Sequence, residues 1–255
     1  MEILTRKENG VLSIEFNRPE KKNAITAAMY QAMADALKDG EADSAVRAIL
    51  ITGKPEIFTA GNDLDDFLKN SGGDVGDRPV WQFMRALSGA SKPVVAAVAG
   101  NAVGIGTTLL MHCDLVYAAE NAKFSMPFTQ LGLCPEFASS LLFQQVAGYQ
   151  RAAEKLLLGE AFGAQEAQEM GLVSRVVPTV DLHSFALGKA ASLAALPASS
   201  LRVTKRLMKQ AQAQAIRQQM DEENKHFGAM LNAPEAKEAF TAFFEKRRPD
   251  FTKFA

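Results

Sequence analysis

The order strand, glycine turn, helix, strand occurs twice in this chain, around 49–67 and again around 94–113. "AVRAILITG" and "PVVAAVAG" supply the apolar runs, and "FTAGNDL" and "GNAVGIG" supply the turns. Apolar runs joined by short turns to helices are the pattern of layered units around an α/β sheet, with each strand covered by the helix that follows it. An α/β protein is therefore expected.

The rest of the chain extends this reading. "VLSIEF" (11–16) alternates as an early strand, and "ITAAMYQAMADALKDG" carries Ile25, Met29, Met33 and Leu37 at helical steps with Gly40 as a stop. "DDFLKNSGGDVGDRPVWQ" is the clearest loop signal, and 80–90 and "TTLLMHC" read as helices before the strand "DLVYAA". Beyond Pro135 the pattern is almost wholly helical, apart from "LVSRVV" (172–177). Helices are expected at 136–147, 149–158, 164–170, 182–195, 198–217, 219–231 and 234–246. The chain divides on this basis into a core at 1–195 and a helical region at 196–255.

Composition narrows the function. The 28 basic and 29 acidic residues leave a formal charge of -1, which argues against nucleic acid or a membrane surface as partner. Cys113 and Cys134 form neither a zinc pattern nor a redox dithiol and read as buried small hydrophobes in a reducing compartment. His112, His183 and His226 are scattered, so neither a metal site nor any other cofactor is expected. "MEILTRKENG" has no apolar signal region, no run approaches spanning length, and the ending "KFA" is not a peroxisomal address. A soluble cytoplasmic protein is the expectation.

Within "LGLCPEFASS" (131–140) stands a lone carboxylate, Glu136, with no other acid, histidine or lysine within ten residues on either side. Two readings fit it. Proline then glutamate suits the first turn of a helix. An acid among Phe128, Leu133 and Phe137 is also a candidate for proton transfer, since apolar surroundings favour the neutral carboxyl, though on these grounds alone the helix start is the stronger reading. "GNAVGIG" lacks the glycine order of a dinucleotide fingerprint and the lysine of a phosphate loop. Like "TAGNDL", it offers bare backbone N–H groups at a helix start, and two such turns can converge on one oxygen as an oxyanion hole.

"FNRPEKKNAI", "FTAGNDLDDF", "KPVVAAVAGNAVGIGTTLLMHCDLVYAAENAKFSMPF", "LGLCPEFASS", "AQEAQEMGLVSRVVP" and "FFEKRRPDF" together resemble the crotonase superfamily of enoyl-CoA hydratases and isomerases, over nearly the whole chain. "AGNDL", "MPFTQLG" and "PEFASS" are most similar to its Δ3,Δ2-enoyl-CoA isomerase branch. The resemblance implies a spiral of β-β-α units followed by a helical trimerisation region, hence a homotrimer or a dimer of trimers. It implies an acyl-CoA substrate, with coenzyme A part of the substrate and not a cofactor. The N–H groups of Asn62 and Ile105, the latter preceded by Gly104, would bind the thioester oxygen. Ala60, Gly61, Asn62, Asp63 and Leu64 would cradle CoA, with Lys22 near its phosphates, Phe128 in a dry acyl pocket, and Lys246 reaching CoA from a neighbouring subunit. Asp63 also suits a helix cap.

Hydratases of the superfamily carry two glutamates where this chain has Thr108 and Phe128. Hydration needs one group to activate water and another to deliver a proton, whereas moving a double bond needs a single base. The isomerase branch has that base where Glu136 stands. The alternatives are a hydratase-like or other enolate-forming acyl-CoA enzyme and, in another class, a crotonase-like RNA-binding protein using Arg202, Lys205, Arg206, Lys209 and Arg217. The latter stripe is interrupted by glutamines and has no interleaved aromatics, which fits a solvated helix face better.

Overall fold

The computed structural model describes residues 1–69 and 78–254. In chain order the elements are β1 (Ile3–Glu8), β2 (Val11–Phe16), α1 (Ala27–Ala42), β3 (Ala48–Thr52), β4 (Ile57–Thr59), α2 (Leu64–Lys69), α3 (Pro79–Ser88), β5 (Val94–Val98), β6 (Asn101–Val103), α4 (Ile105–Thr108), β7 (Leu115–Ala119), β8 (Lys123–Ser125), α5 (Ser139–Ala147), α6 (Tyr149–Leu158), β9 (Phe162–Gly163), α7 (Ala164–Glu169), β10 (Arg175–Val177), α8 (Leu182–Ala195), α9 (Ala198–Lys209), α10 (Ala213–Leu231) and α11 (Pro234–Phe244). Among the described residues one sheet runs β1-β2-β3-β5-β7-β10 and a smaller one β4-β6-β8-β9. Each turn of the spiral gives one strand to each sheet: β3 then β4, β5 then β6, β7 then β8.

Why β3 and β5 are apolar throughout follows from their position. Ile49, Ile51, Val94, Ala96 and Val98 face a core shared with Met29, Met33 and Leu37 of α1. The alternate residues Ala48, Leu50, Val95 and Ala97 face Ala186, Ala190 and Ala194 of α8. A parallel strand covered on both faces has no polar side, and the alanines at four-residue steps let α8 approach closely.

Several boundaries differ from the sequence reading. β1, β4, β6, β8 and β9 were not anticipated, because most are two or three residues long and show no period. "TTLLMHC" splits into α4 and a tighter 3-10 turn at Leu109–His112. The helix expected at 198–217 stops at Lys209 and resumes at Ala213. The loop expected from 65 to 82 lies partly at 70–77, outside the described residues. The helix expected from residue 136 starts only at Ser139, because Phe137 and Ala138 adopt left-handed backbone (φ 60° and 55°). Glu136 therefore precedes the helix, and the reading as an acid in a first turn is corrected. Cys113 and Cys134 are half-buried instead of fully buried.

Candidate functional site

The two glycine turns lie side by side because their strands do. β4 and β6 are parallel, with Thr59 opposite Ala102, so the chain leaves both strands in the same direction. Gly61 (φ 85°) packs so tightly that a Cβ there would stand 2.7 Å from the Val103 carbonyl oxygen, and one on Gly106 would stand 2.5 Å from Thr59 Cγ2. Only glycine permits this approach.

The direction of the Asn62 N–H follows from its neighbours. Gly61 O accepts from Ile25 N at 2.8 Å, and Asp63 N donates to Ile25 O at 2.9 Å. A trans peptide points its C=O and N–H oppositely, so the Asn62 N–H points away from the 22–25 segment. Gly104 O accepts from Thr107 N and Thr108 N. By the same rule the Ile105 N–H projects back from the start of α4, where helix donors have no internal partner. Buried Asn23 braces the arrangement, its amide donating to Ile57 O and Phe58 O at 3.2 and 3.0 Å and its carbonyl accepting from Thr59 Oγ1 at 2.6 Å. Tyr30 of α1 donates to the Asn62 side-chain oxygen at 2.5 Å.

The other expected binding residues distribute unevenly. Lys22 O accepts from Ala60 N at 3.0 Å, which places the exposed Lys22 beside the turn. Asp63 caps α2 through Asp66 N (3.1 Å) and pairs with Arg18 (2.8 Å), and these hydrogen bonds hold its carboxyl below the usual range against the opposing effect of burial. Leu64 packs on the core. Phe128 is buried, edge-on to Phe227 of α10. Lys246 is exposed just beyond α11.

Glu136 is 9% exposed, and its Oε1 has no hydrogen-bond partner among the described residues. The backbone around it, by contrast, is held at three points. Glu136 O accepts from Ser139 N and Oγ (3.1 and 2.6 Å), and Phe137 O accepts from the His112 ring at 2.8 Å. His112 also stacks on the Phe137 ring, 3.8 Å between centroids. Ala138 N donates to Glu223 of α10 at 2.5 Å. Left-handed backbone at two non-glycine residues costs about 1–3 kcal/mol each and persists only where surroundings impose it. Burial, and then the charge of Glu223, push the Glu136 carboxyl up to about 8. Burial pushes His112 down to about 3, so it is neutral at ordinary pH.

Glu223, Tyr30 and His112 escaped the sequence reading. A signal existed for Glu223: it falls on the buried stripe Met220, Phe227, Leu231 of α10, where an acid is out of place.

The model of the enoyl-CoA hydratase/isomerase family matches residues 6–253. The chain belongs to that family. It is 36% identical over 250 residues to enoyl-CoA delta isomerase 2 of Rattus norvegicus, covering 96% of this chain and 64% of that protein. It is also 36% identical over 256 residues to 1,2-epoxyphenylacetyl-CoA isomerase of Escherichia coli (strain K12), covering 98% of each. The crystal structure of an enoyl-CoA hydratase/isomerase from Pseudoalteromonas atlantica T6c superposes with a TM-score of 0.94 at 41% identity, over 99% of this chain and all of that one. This is a crotonase-superfamily enzyme of acyl-CoA chemistry. Among the described residues no helix is long and apolar enough to cross a membrane.

Two further features of this family member bear on the site. A cavity of about 1070 Å³ lies between α3, α5, α9 and α10, walled by Trp81, Met111, His112, Leu142 and Met220. It does not reach Glu136, Asn62 or Ile105. Volume alone therefore points away from the perturbed acid, and the acid is the better guide to chemistry. Two members of the basic stripe are also not free: Lys205 is buried against Asp114 (2.7 Å) and Lys209 donates to His112 O (3.1 Å), while Arg217 lies on the next helix, α10.

Proposed function

We propose that this enzyme is a Δ3,Δ2-enoyl-CoA isomerase. The observation that carries the reading is a buried carboxylate, Glu136, with an unpartnered oxygen; by the sequence resemblance, Thr108 and Phe128 stand where hydratases carry acids. Glu223 is a second acid near by, yet both its oxygens accept hydrogen bonds from the Ala138–Ser140 backbone, which leaves it no role in delivering a proton to water.

The thioester carbonyl of a 3-enoyl-CoA lies between the Asn62 and Ile105 amides. Glu136 takes a proton from C2, and the electron pair moves through the conjugated system onto the thioester oxygen as a dienolate. The amides bind that oxygen more strongly as its charge grows, which lowers the barrier. Glu136 then returns the proton to C4, giving the 2-trans-enoyl-CoA. An acid near 8 suits both halves, since it neither grips nor refuses the proton strongly at neutral pH. Phe128, Leu133 and Phe137 keep water from the intermediate. In this reading residues 60–64 and Lys22 hold CoA, Lys246 reaches it from a neighbouring subunit, and the enzyme is a trimer or a dimer of trimers.

The exposed Val203, Leu207 and Met208 of α9 and Phe243 and Phe244 of α11 favour such an assembly. Light scattering that finds only monomer at micromolar concentration would refute it. The test of the reaction is a spectrophotometric assay with 3-enoyl-CoA and 2-enoyl-CoA side by side. Isomerisation is expected to be much faster than hydration, and hydration equal to or faster than isomerisation would overturn the assignment.

A further inference from the structure

α5 begins without a cap of its own: Ala138 stands at the cap position and offers no side-chain acceptor. Glu223, 85 residues away on α10, supplies it. One carboxylate oxygen accepts from Ala138 N at 2.5 Å, and the other from Ser140 N at 3.0 Å and from Ser140 Oγ. Gln219, one turn earlier on α10, donates to the same Ser140 hydroxyl at 2.8 Å. Glu223 itself is 5% exposed. A carboxylate at that depth is tolerable because charged-acceptor hydrogen bonds and the positive end of α5 replace its hydration.

The segment held in this way is the one that carries Glu136. Glu223 fixes Ala138, the second of the two left-handed residues, while His112 fixes the first through Phe137 O. We propose that Glu223 is a positioning residue for proton transfer at Glu136: from α10 it locks the turn that aims the base and sets a fixed negative charge beside it.

The surroundings determine what that charge does. The titratable groups facing Glu136 are Glu223 of α10, Tyr30 of α1 and Cys134 of its own segment, with neutral His112 behind Phe137. Among the described residues no cation acts on Glu136 to offset Glu223. Burial pushes both carboxyls up, but three hydrogen bonds oppose this at Glu223 and none does at Glu136 Oε1. The charge therefore rests on Glu223 and the proton on Glu136. The C-terminal helices thus form part of the acid–base machinery as well as the fold.

The inference rests on Glu136 being the base, so the experiment separates the two. The wild type, Glu223→Gln, Glu223→Asp and Glu136→Gln are compared by the pH profile of kcat/KM with 3-hexenoyl-CoA, and by infrared titration of the carboxyl band that Glu136→Gln removes. Glu223→Gln is expected to move the acid limb and the infrared midpoint to lower pH by about one unit, the effect of losing one near like charge. Its plateau kcat should fall about tenfold with KM changed less than about threefold, as for a base slightly misaligned in an intact site. Glu223→Asp keeps the charge but not the reach, so its kcat should fall while its limb stays. A fall in kcat in Glu223→Gln with limb and midpoint unmoved would reduce Glu223 to a structural cap and overturn the proposal. Should Glu223→Gln fail to fold, unchanged kcat in Glu223→Asp overturns the proposal instead. Near wild-type turnover in Glu136→Gln sinks the base assignment alone, because the infrared midpoint still reads the effect of Glu223.

Discussion

The two glycine turns and the surroundings of Glu136, which the proposed mechanism brings into one site, are assembled differently. The turns at 60–62 and 104–106 are made of backbone, follow directly from adjacent parallel strands, and depend on glycine at points of closest approach. The Glu136 turn is held by side chains drawn from the 109–112 turn and α10, and two non-glycine residues in it adopt left-handed conformation. A backbone donor needs only register to be placed. A buried acid whose proton affinity is raised stays unpartnered itself while the backbone around it is held, and the groups that hold it come from wherever the fold can supply them.

Replacing Gly61 attacks the backbone half. Alanine there meets the Val103 carbonyl and an unfavourable φ, so the turn must shift. Turnover should fall by about 10² to 10³, the cost of misplacing an oxyanion donor, as measured by steady-state kinetics on Gly61→Ala. A variant within a few-fold of wild type would show that the N–H at Asn62 is not used.

Changing pH tests the side-chain half. The base must be ionised, so kcat/KM should drop tenfold for each pH unit below about 8. Stability runs the other way. A carboxyl raised from its ordinary 4.5 to about 8 favours the folded state fully below the unfolded value, and that benefit is lost as pH rises to about 8. Glu136→Gln should therefore melt increasingly above the wild type between those limits, with the gap constant beyond. An acid limb near 5 would place Glu136 among ordinary carboxylates.

Tyr30 links the halves, since it holds the Asn62 side chain while packing against Phe83, which in turn touches Phe137. Tyr30→Phe keeps the packing and removes one hydrogen bond. A loss of about fivefold in kcat is expected, the equivalent of roughly 1 kcal/mol. No change would mean that the turn is rigid without it.

The same contrast explains what the sequence made legible. The glycine turns, the strands 48–52 and 94–98 and the lone Glu136 could all be read, because each depends on residues a few positions apart. The short strands β4, β6 and β8 that align the turns could not, being too brief to show a period. Nor could the start of α5: Pro135 and Glu136 look like a helical first turn, and it is the distant His112 and Glu223 that hold the left-handed pair that delays it. The break at 210–212 lies in a run of glutamine and alanine that favours helix, so nothing local announces it. Glu223 was readable only as an acid on an apolar stripe, and what it caps lay beyond the reach of any local pattern.

Glu136→Gln tests the central claim most directly. Glutamine keeps the size and polarity of the side chain but cannot accept and return a proton at neutral pH. Isomerase turnover with a 3-enoyl-CoA should fall by at least about a hundredfold, while affinity for a non-reactive acyl-CoA stays within a few-fold. Turnover close to wild type in a folded Glu136→Gln enzyme would contradict the account.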